Sequence, residues 1–372
     1  GFGRARWIVS GPHPLQQSVL RISSGGYAVK DFEAQRDQIA MRLLHPIKDI
    51  RQPVATIPTI EIELLQSRIP DSIGLLDLPY GSLESGEFFI GMGDGKPKKM
   101  TLTEMVHMLF AGQTGMGKTS FMKQFMTTIL ARTRDSHVIL IDMKGGIDFQ
   151  AFENLPNLEL VTSVAGADAA LVKVKELFEK RRDYLLKKKK ERWIDLNPRE
   201  LREDAAFASV PIGPVVVIVD ELAELVRGSS EGVGKAVIMD KLEKLAQLAR
   251  FTGIHLVLGT QRPDKSVISM QIKDNMGTRV CFSVPSVHAS TLVINDMSAS
   301  TLGSIPGRAV CVAGGSTVVQ CPAVSNDTIK MLLEQSAYLR EARGKPPRVL
   351  IAPTVKDIQV QAVKVVGLRA PS

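Results

Sequence analysis

The 372-residue chain is 44% hydrophobic and 23% charged, the balance of an ordinary globular protein with apolar material for a sizeable core. No run approaches the ~18 apolar residues of a membrane-spanning helix. A net charge of +8 admits an acidic partner, nucleic acid or an anionic membrane surface, as readily as it admits solubility alone.

The length allows two or three domains, or one large α/β domain with an appendage. The chain begins at Gly1 with neither an initiator Met nor a signal peptide, so it is expected to be a piece of a longer protein, with a membrane anchor upstream left open. Cys281, Cys311 and Cys321 are odd in number, form no C-x-x-C and sit in or beside strand-like runs. They read as buried, reduced thiols of a cytoplasmic protein. The six histidines show no metal-ligand spacing.

Residues 1–85 are rich in Pro and Gly and read as a small α/β appendage. Val19 to Ile22 and Tyr27 to Val29 predict short strands, and Asp31 to Leu44 predicts a helix. Thr59 to Leu65 alternates apolar and acidic residues, the mark of a half-exposed strand. A second unit begins near Gly86, with a strand over Glu87 to Gly93 and a basic run at Lys96, Lys98 and Lys99. From about residue 100 to 325 strands alternate with helices, which predicts a mostly parallel sheet with right-handed crossovers.

Val106 to Ala111 predicts a buried strand, and Ser120 to Arg132 a helix with Phe121, Phe125 and Ile129 near one face. Between them stands Gly112-Gln113-Thr114-Gly115-Met116-Gly117-Lys118-Thr119, which fits the phosphate-binding P-loop G-x-x-x-x-G-K-[ST]. Its glycines allow a tight turn with bare N–H groups facing inward, and the helix starting near Gly117 adds the positive end of its dipole. Lys118 can reach the β- and γ-phosphates of ATP, and Thr119 can offer its hydroxyl to Mg²⁺. Ser120 completes the nucleotide-binding set. The plain alternative is a chance glycine-rich turn.

His137 to Asp142 is an apolar run ending in an acid, and Met143 to Gly146 follows as a loop. Ala167 to Arg192 predicts a long helix whose basic end, Lys187 to Lys190, either complements the helix dipole or touches nucleic acid. Asn197 to Val210 reads as a polar, charge-mixed insertion. Pro214 to Glu221 is a buried strand ending in two acids, the Walker B pattern of P-loop proteins. Strand carboxyl ends in open α/β sheets lie over the ligand crevice. Asp220 is therefore expected in the Mg²⁺ shell, with Glu221 polarising the attacking water. The alternative is a strand that merely ends in acids.

Asp240 to Arg250 predicts a helix, and Ile254 to Gln261 a strand ending in Thr260 and Gln261. That polar pair suits either γ-phosphate sensing or plain solvation. Arg279 to Val284 and Ala309 to Ala313 predict further strands, and Asp327 to Arg343 a helix. The tail from Gly344 is irregular, with one short strand expected at Val349 to Ile351.

Taken together, the segments Ala111 to Thr119, Val219 to Leu225, Gly253 to Pro263 and Ile272 to Arg279 resemble the FtsK/SpoIIIE family of hexameric translocases. The resemblance covers about residues 86–325, and 1–85 only loosely resembles the family's small preceding domain. It implies a RecA-like P-loop NTPase core of α/β class, assembled as a homo-hexameric ring with ATP between subunits. The motor is thus expected over 86–325, and a C-terminal helix with an irregular tail over 326–372. Arg279 matches the family's trans-acting arginine finger, with Arg250 as runner-up and a strand-edge salt bridge as the plain alternative.

Two departures stand out. Ser290 replaces the Arg of a Ser-Arg-Thr-type stretch found in the family's DNA motors. Asp142 to Phe149 and Ile305 to Arg308 resemble conjugative coupling ATPases and type VII secretion ATPases more than chromosome-segregating members. No stretch resembles the family's winged-helix DNA reader. The resemblance thus implies an ATP-driven translocase of double-stranded DNA, of the conjugation or mobile-element coupling kind. Its catalytic residues would be Glu221, Lys118, Arg279 and Gln261. Lys265, Lys273 and Arg308 are candidate pore contacts, or else solvated surface charge. The alternatives are a protein-secretion ATPase gripping a polypeptide, and a nucleotide-regulated assembly platform. A cytoplasmic location is expected, with attachment to the inner face of the membrane through an upstream anchor left open.

Overall fold

The computed structural model describes residues 19–23, 26–36, 39, 47–53, 59–64, 69–227 and 234–339. It separates into two units, Gly1–Pro70 with Met92–Lys96 and Asp71–Gly91 with Pro97–Ser372. In the first, β1 (Val19–Ser23), α1 (Val29–Glu33), β2 (Ile47–Arg51) and β3 (Thr59–Leu64) follow in order. The strands form an antiparallel sheet ordered β1-β3-β2.

The alternation along β3 predicted a half-exposed strand, but the sheet order makes β3 central. Ile60 and Ile62 are buried with Phe32, Ile47 and Ile50, and Glu61 is buried too, 3.0 Å from the Arg51 guanidinium. Tyr27 to Val29 does not form the strand its β-prone residues predict. The Ala28 N–H donates to the Asp31 carboxylate at 2.8 Å, which starts α1 at Val29. The rest of the helix expected up to Leu44 lies largely outside the described residues, as does the strand expected at Val349 to Ile351.

The large sheet has ten strands in the order β5-β4-β13-β12-β11-β6-β10-β9-β7-β8. They are β4 (Glu87–Gly93), β5 (Lys96–Thr101), β6 (Met108–Ala111), β7 (His137–Ile141), β8 (Leu158–Val161), β9 (Val215–Val219), β10 (Ile254–Thr260), β11 (Thr278–Phe282), β12 (Arg308–Val312) and β13 (Ser316–Gln320). The run from β11 to β8 is parallel throughout, as the alternation of strands and helices predicts. β12 and β13 turn back antiparallel. The short strands β8 and β13 escape a periodicity reading because four or five residues show too little pattern. The edge strand β5 carries Lys96, Pro97, Lys98 and Lys99, a charged, proline-broken rim that discourages pairing with another chain.

The helices of this unit are α2 (Leu102–Met105), α3 (Lys118–Arg132), α4 (Val164–Lys188), α5 (Pro198–Glu203), α6 (Leu222–Arg227), α7 (Lys235–Leu248), α8 (Met270–Asn275), α9 (Val287–Ile294) and α10 (Asn326–Gln335). They cover both sheet faces. Along β9, Val215, Val217 and Val219 pack with α4, α6 and α7, while Val216 and Ile218 pack with α3. This double cover explains why β9 reads as an unbroken apolar run. Phe121, Phe125 and Ile129 of α3 are buried as expected, together with Met122, Met126 and Leu130. α10 packs over α3, and the Ser336 hydroxyl donates to the Ala131 carbonyl at 2.8 Å.

α4 ends at Lys188, with Lys189 in the left-handed region and the Lys190 N–H donating back to Leu185 O at 3.0 Å. Lys187 and Lys188 thus stand in the last turn, where the dipole favours cations. Residues 197–210 are not merely a polar insertion. Leu201 and Phe207 are buried with Leu185, Trp193, Leu196 and Ile212 in a satellite core. Cys281, Cys311 and Cys321 are buried free thiols, and burial pushes the Cys281 and Cys311 pKa values up to about 12. Among the described residues no helix is long and apolar enough to cross a membrane, and no cluster of His, Cys, Asp or Glu could hold a metal ion by itself.

Two histidines are buried where β6 and β10 begin. His107 Nδ1 accepts the Leu256 N–H at 2.9 Å, and His255 Nδ1 lies 2.7 Å from the Val106 carbonyl. Burial lowers the His107 pKa to about 3, helped by His255 and Arg250, and burial lowers that of His255 to about 4. Both are neutral when folded at pH 7. The folded values lie below the ordinary 6.5, so their stability contribution is complete above pH 6.5 and is lost as pH falls toward 4. Each histidine should cost roughly 1 kcal/mol per pH unit in that window. Urea unfolding at pH 7, 6, 5 and 4 should show this slope, and a His107→Gln/His255→Gln variant should flatten it. An unchanged slope in that variant would refute the assignment.

Candidate active site

The P-loop bridges β6 and α3 and is shaped by three glycines in the left-handed half of backbone space. Gly112, Gly115 and Gly117 have φ of 159°, 81° and 102°. Two of them also leave no room for a side chain. A Cβ at Gly112 would stand 2.5 Å from Phe282 Cβ, and one at Gly117 would stand 2.7 Å from the Gly307 nitrogen. The loop is pinned from three sides. The Gly112 N–H donates to Thr260 O at 3.3 Å, the Gln113 N–H to Ser283 O at 3.0 Å, and the Gly307 N–H to Met116 O at 2.9 Å. The first-turn N–H groups of α3 have no partner within the helix and face the loop's concavity with the positive end of the dipole.

Lys118 and Thr119 open α3, with Lys118 buried and Thr119 half-buried. β9 delivers Asp220 and Glu221 beside them, both buried. Lys118 Nζ lies 3.7 Å from Glu221 Oε2. Both oxygens of Glu221 are also held: Oε1 accepts from the Thr260 hydroxyl at 2.9 Å and the Ala223 N–H at 3.3 Å, and Oε2 accepts from the Gln261 N–H at 2.7 Å. The Gln261 side chain turns to the P-loop, where its Oε1 accepts from the Thr114 hydroxyl at 2.7 Å. The end of β10 therefore ties the P-loop to the acid pair.

A second lysine joins them that the motif reading passed over. Lys144 Nζ lies 3.6 Å from Asp220 Oδ2. Its backbone is set by Asp142, whose carboxylate accepts from Lys144 N at 3.0 Å and Gly146 N at 2.8 Å. Burial pushes the Asp220 carboxyl pKa up, against the pull of Lys144 and Lys118. Burial lowers that of Lys118, against Glu221 and Asp220. Burial also works to lower that of Lys144, but Asp220, Glu224, Glu221 and Asp142 outweigh it and raise it. Two carboxylates and Lys118 are thus held largely out of water, their desolvation offset in part by the ion pairs with Lys118 and Lys144.

The remaining candidates sit elsewhere. Arg279 is on β11 and turns toward α9, its Nη1 donating to Val293 O at 3.4 Å, with Nε buried and unbonded. Lys273 is buried beside it and donates to Thr291 O at 3.1 Å. Both cations meet the carboxyl end of α9, and the structure brings neither to the P-loop. Lys273, selected as a pore contact, is 8% exposed with its ammonium engaged by Thr291 O. Arg308 is likewise engaged: its Nε donates to Gln320 Oε1 at 3.0 Å, and its Nη2 lies 3.2 Å from Asp71. Because Gln320 Nε2 also donates to Pro306 O at 2.7 Å, Arg308 braces the segment that holds Met116. Lys265 and the runner-up Arg250 are exposed. Ser290 is fully buried, and its hydroxyl donates to Asp296 O at 2.5 Å and accepts from Ala299 N at 3.2 Å, so the position has no room for a long cation.

A glycine cradle that side chains would fill, a buried ammonium, a first-turn hydroxyl and two buried carboxylates fit a nucleoside triphosphate with a divalent cation. Comparison with known proteins agrees. The FtsK/SpoIIIE family model matches residues 80–265. The chain is 31% identical over 288 residues to a DNA translocase FtsK of Streptococcus pneumoniae, covering 74% of this chain and 37% of that protein. It is 32% identical over 258 residues to a DNA translocase FtsK of Halalkalibacterium halodurans, covering 66% and 31%. The chain spans about a third of the length of these curated relatives. Among solved structures, the pCW3 conjugation coupling protein TcpA, in a monomer form with ATPγS, superposes with a TM-score of 0.65 at 24% identity over 85% of this chain and 88% of that one. The cytoplasmic domain of the Thermomonospora curvata type VII secretion ATPase EccC gives 0.59 at 18% identity over 78% and 35%.

Proposed function

The chain belongs to the FtsK/SpoIIIE family, and we propose that it is the motor of an ATP-hydrolysing, ring-forming translocase of double-stranded DNA, of the conjugation or mobile-element coupling kind. The observation that supports this most is the linkage of Thr114, Gln261 and Glu221, which joins a phosphate cradle to a buried carboxylate through the end of one strand. The P-loop from Gly112 to Thr119, with Ser120, holds the phosphates. Thr119 and Asp220 would hold Mg²⁺, which when bound neutralises phosphate charge. Glu221 orients and polarises the attacking water, and Lys118 stabilises charge developing on the γ-phosphoryl oxygens. Arg279, whose side chain turns to α9 rather than bonding this chain's own P-loop, acts from a neighbouring subunit of a homo-hexamer. Lys265 is the pore candidate that remains at the surface.

Steady-state ATPase activity with and without long double-stranded DNA tests the reading. DNA should raise turnover strongly, Lys118→Ala should abolish it, and binding should weaken with salt at about 0.9 in log–log slope per phosphate contact. Rings that hydrolyse ATP but ignore DNA would refute the cargo assignment. A second reading, a polypeptide cargo, draws on one observation: two of the three cations selected for DNA contact, Lys273 and Arg308, are folded inward. Secretion-signal peptides would then stimulate turnover in place of DNA.

A further inference from the structure

The cation at Asp220 has no part in the P-loop motif, and its geometry is built with care. Gly145 and Gly146 have φ of 81° and 78°, so the turn carrying Lys144 follows a path that L side chains rarely adopt. A Cβ at Gly146 would stand 2.6 Å from Leu160 Cδ2, the end of an exposed side chain that can swing aside, so the positive φ and not space favours glycine there. Asp142 clamps the turn through two backbone N–H groups. The result aims one flexible ammonium at the carboxylate that would share in holding the divalent cation.

Lys118 and Lys144 differ in what they can do next. Lys118 is only 5% exposed and anchored in the first turn of α3, whereas Lys144 is 37% exposed at the end of a mobile four-carbon stem. The first has one place to be. The second can swing to water when something replaces it. A divalent cation at Asp220 and an ammonium 3.6 Å from the same carboxylate would repel each other.

We propose that Lys144 is a positioning residue that competes with Mg²⁺ for Asp220, holding the carboxylate while no cation does and leaving when the metal arrives. The inference rests on the nucleotide-site reading above and adds to it a residue that sets how much Mg²⁺ the site requires. It accounts for a lysine on a clamped, two-glycine turn beside the acid pair, which phosphate binding by Lys118 alone leaves without a purpose.

The test is binding of a fluorescent ATP analogue, titrated with Mg²⁺, in wild-type protein, Lys144→Met and Lys144→Arg. Melting curves in EDTA establish that each variant is folded. Lys144→Met should lower the half-saturating Mg²⁺ concentration about three- to fivefold, the range a half-exposed ion pair carries. Lys144→Arg, which keeps the charge, should stay near wild type. An unchanged or higher Mg²⁺ requirement in Lys144→Met would overturn the proposal. Lys118→Ala separates the two readings: if it binds the analogue as well as wild type does, the nucleotide-site reading itself fails. If it does not, the Mg²⁺ midpoint judges Lys144 alone.

Discussion

Glu221→Gln should lower ATP turnover by about two to three orders of magnitude while leaving nucleotide binding within a few-fold of wild type. The side chain is buried, and it accepts hydrogen bonds from Thr260, Ala223 and Gln261 while facing Lys118. An amide keeps the shape and one acceptor oxygen. With that oxygen toward Thr260 and Ala223, its NH₂ meets the Gln261 N–H, and the local geometry loosens at the residue that also contacts Thr114. The larger effect is chemical, because a neutral amide cannot polarise water as a carboxylate does. Lys118 would meanwhile lose the anion 3.7 Å away and stand freer for phosphate, so affinity should hold. Phosphate release and analogue binding measured on the same preparation decide the matter. Turnover within tenfold of wild type would remove Glu221 from the chemistry.

Local motifs were legible because their chemistry is local. The P-loop needs its glycines, lysine and hydroxyl within eight residues, and a buried strand delivers two acids at its end, so neighbouring letters carry the information. The parallel run from β11 to β8 was legible for a similar reason, since strand–helix alternation leaves few topologies. What eluded the sequence depends on direction or on distant partners. Charge alone does not say that Lys273 points at Thr291 O or that Arg308 braces Gln320. The Lys144–Asp220 contact joins residues 76 positions apart and follows from β7 lying beside β9. Even the string from Gly253 to Pro263 divides in two. Thr260 and Gln261 serve the site, whereas Gly253 and His255 serve the far end of β10: a Cβ at Gly253 would stand 3.2 Å from Trp193, and His255 bonds Val106.

Arg181→Ala should destabilise the protein by about 3–5 kcal/mol, although the residue is remote from the P-loop motif. Arg181 is fully buried on α4, and no carboxylate among the described residues pairs with it. Backbone carbonyls do that work instead. Nη1 donates to Thr252 O at 2.7 Å, and Nη2 donates to Pro211 O at 2.9 Å and Gly213 O at 2.7 Å. The guanidinium also stacks over Trp193, 4.5 Å from the ring centroid. One side chain therefore joins α4, the segment leading into β9 and the turn leading into β10. Truncation would leave the Thr252, Pro211 and Gly213 carbonyls, the first two buried, without this donor and open a cavity beneath Trp193. Arg181→Met would fill the space but not satisfy the carbonyls, so it should recover part of the loss. Arg181→Lys should also fall short, because an ammonium cannot reproduce the planar fork. Urea unfolding of the three variants at pH 7 orders these effects, and a loss below about 1 kcal/mol for Arg181→Ala would refute the staple. The same experiment separates stability from chemistry. The carboxyl end of β10, opposite the Arg181 contacts, carries Thr260 and leads to Gln261, and the strand between is buried in the sheet core, so the folded fraction of each variant should still bind nucleotide.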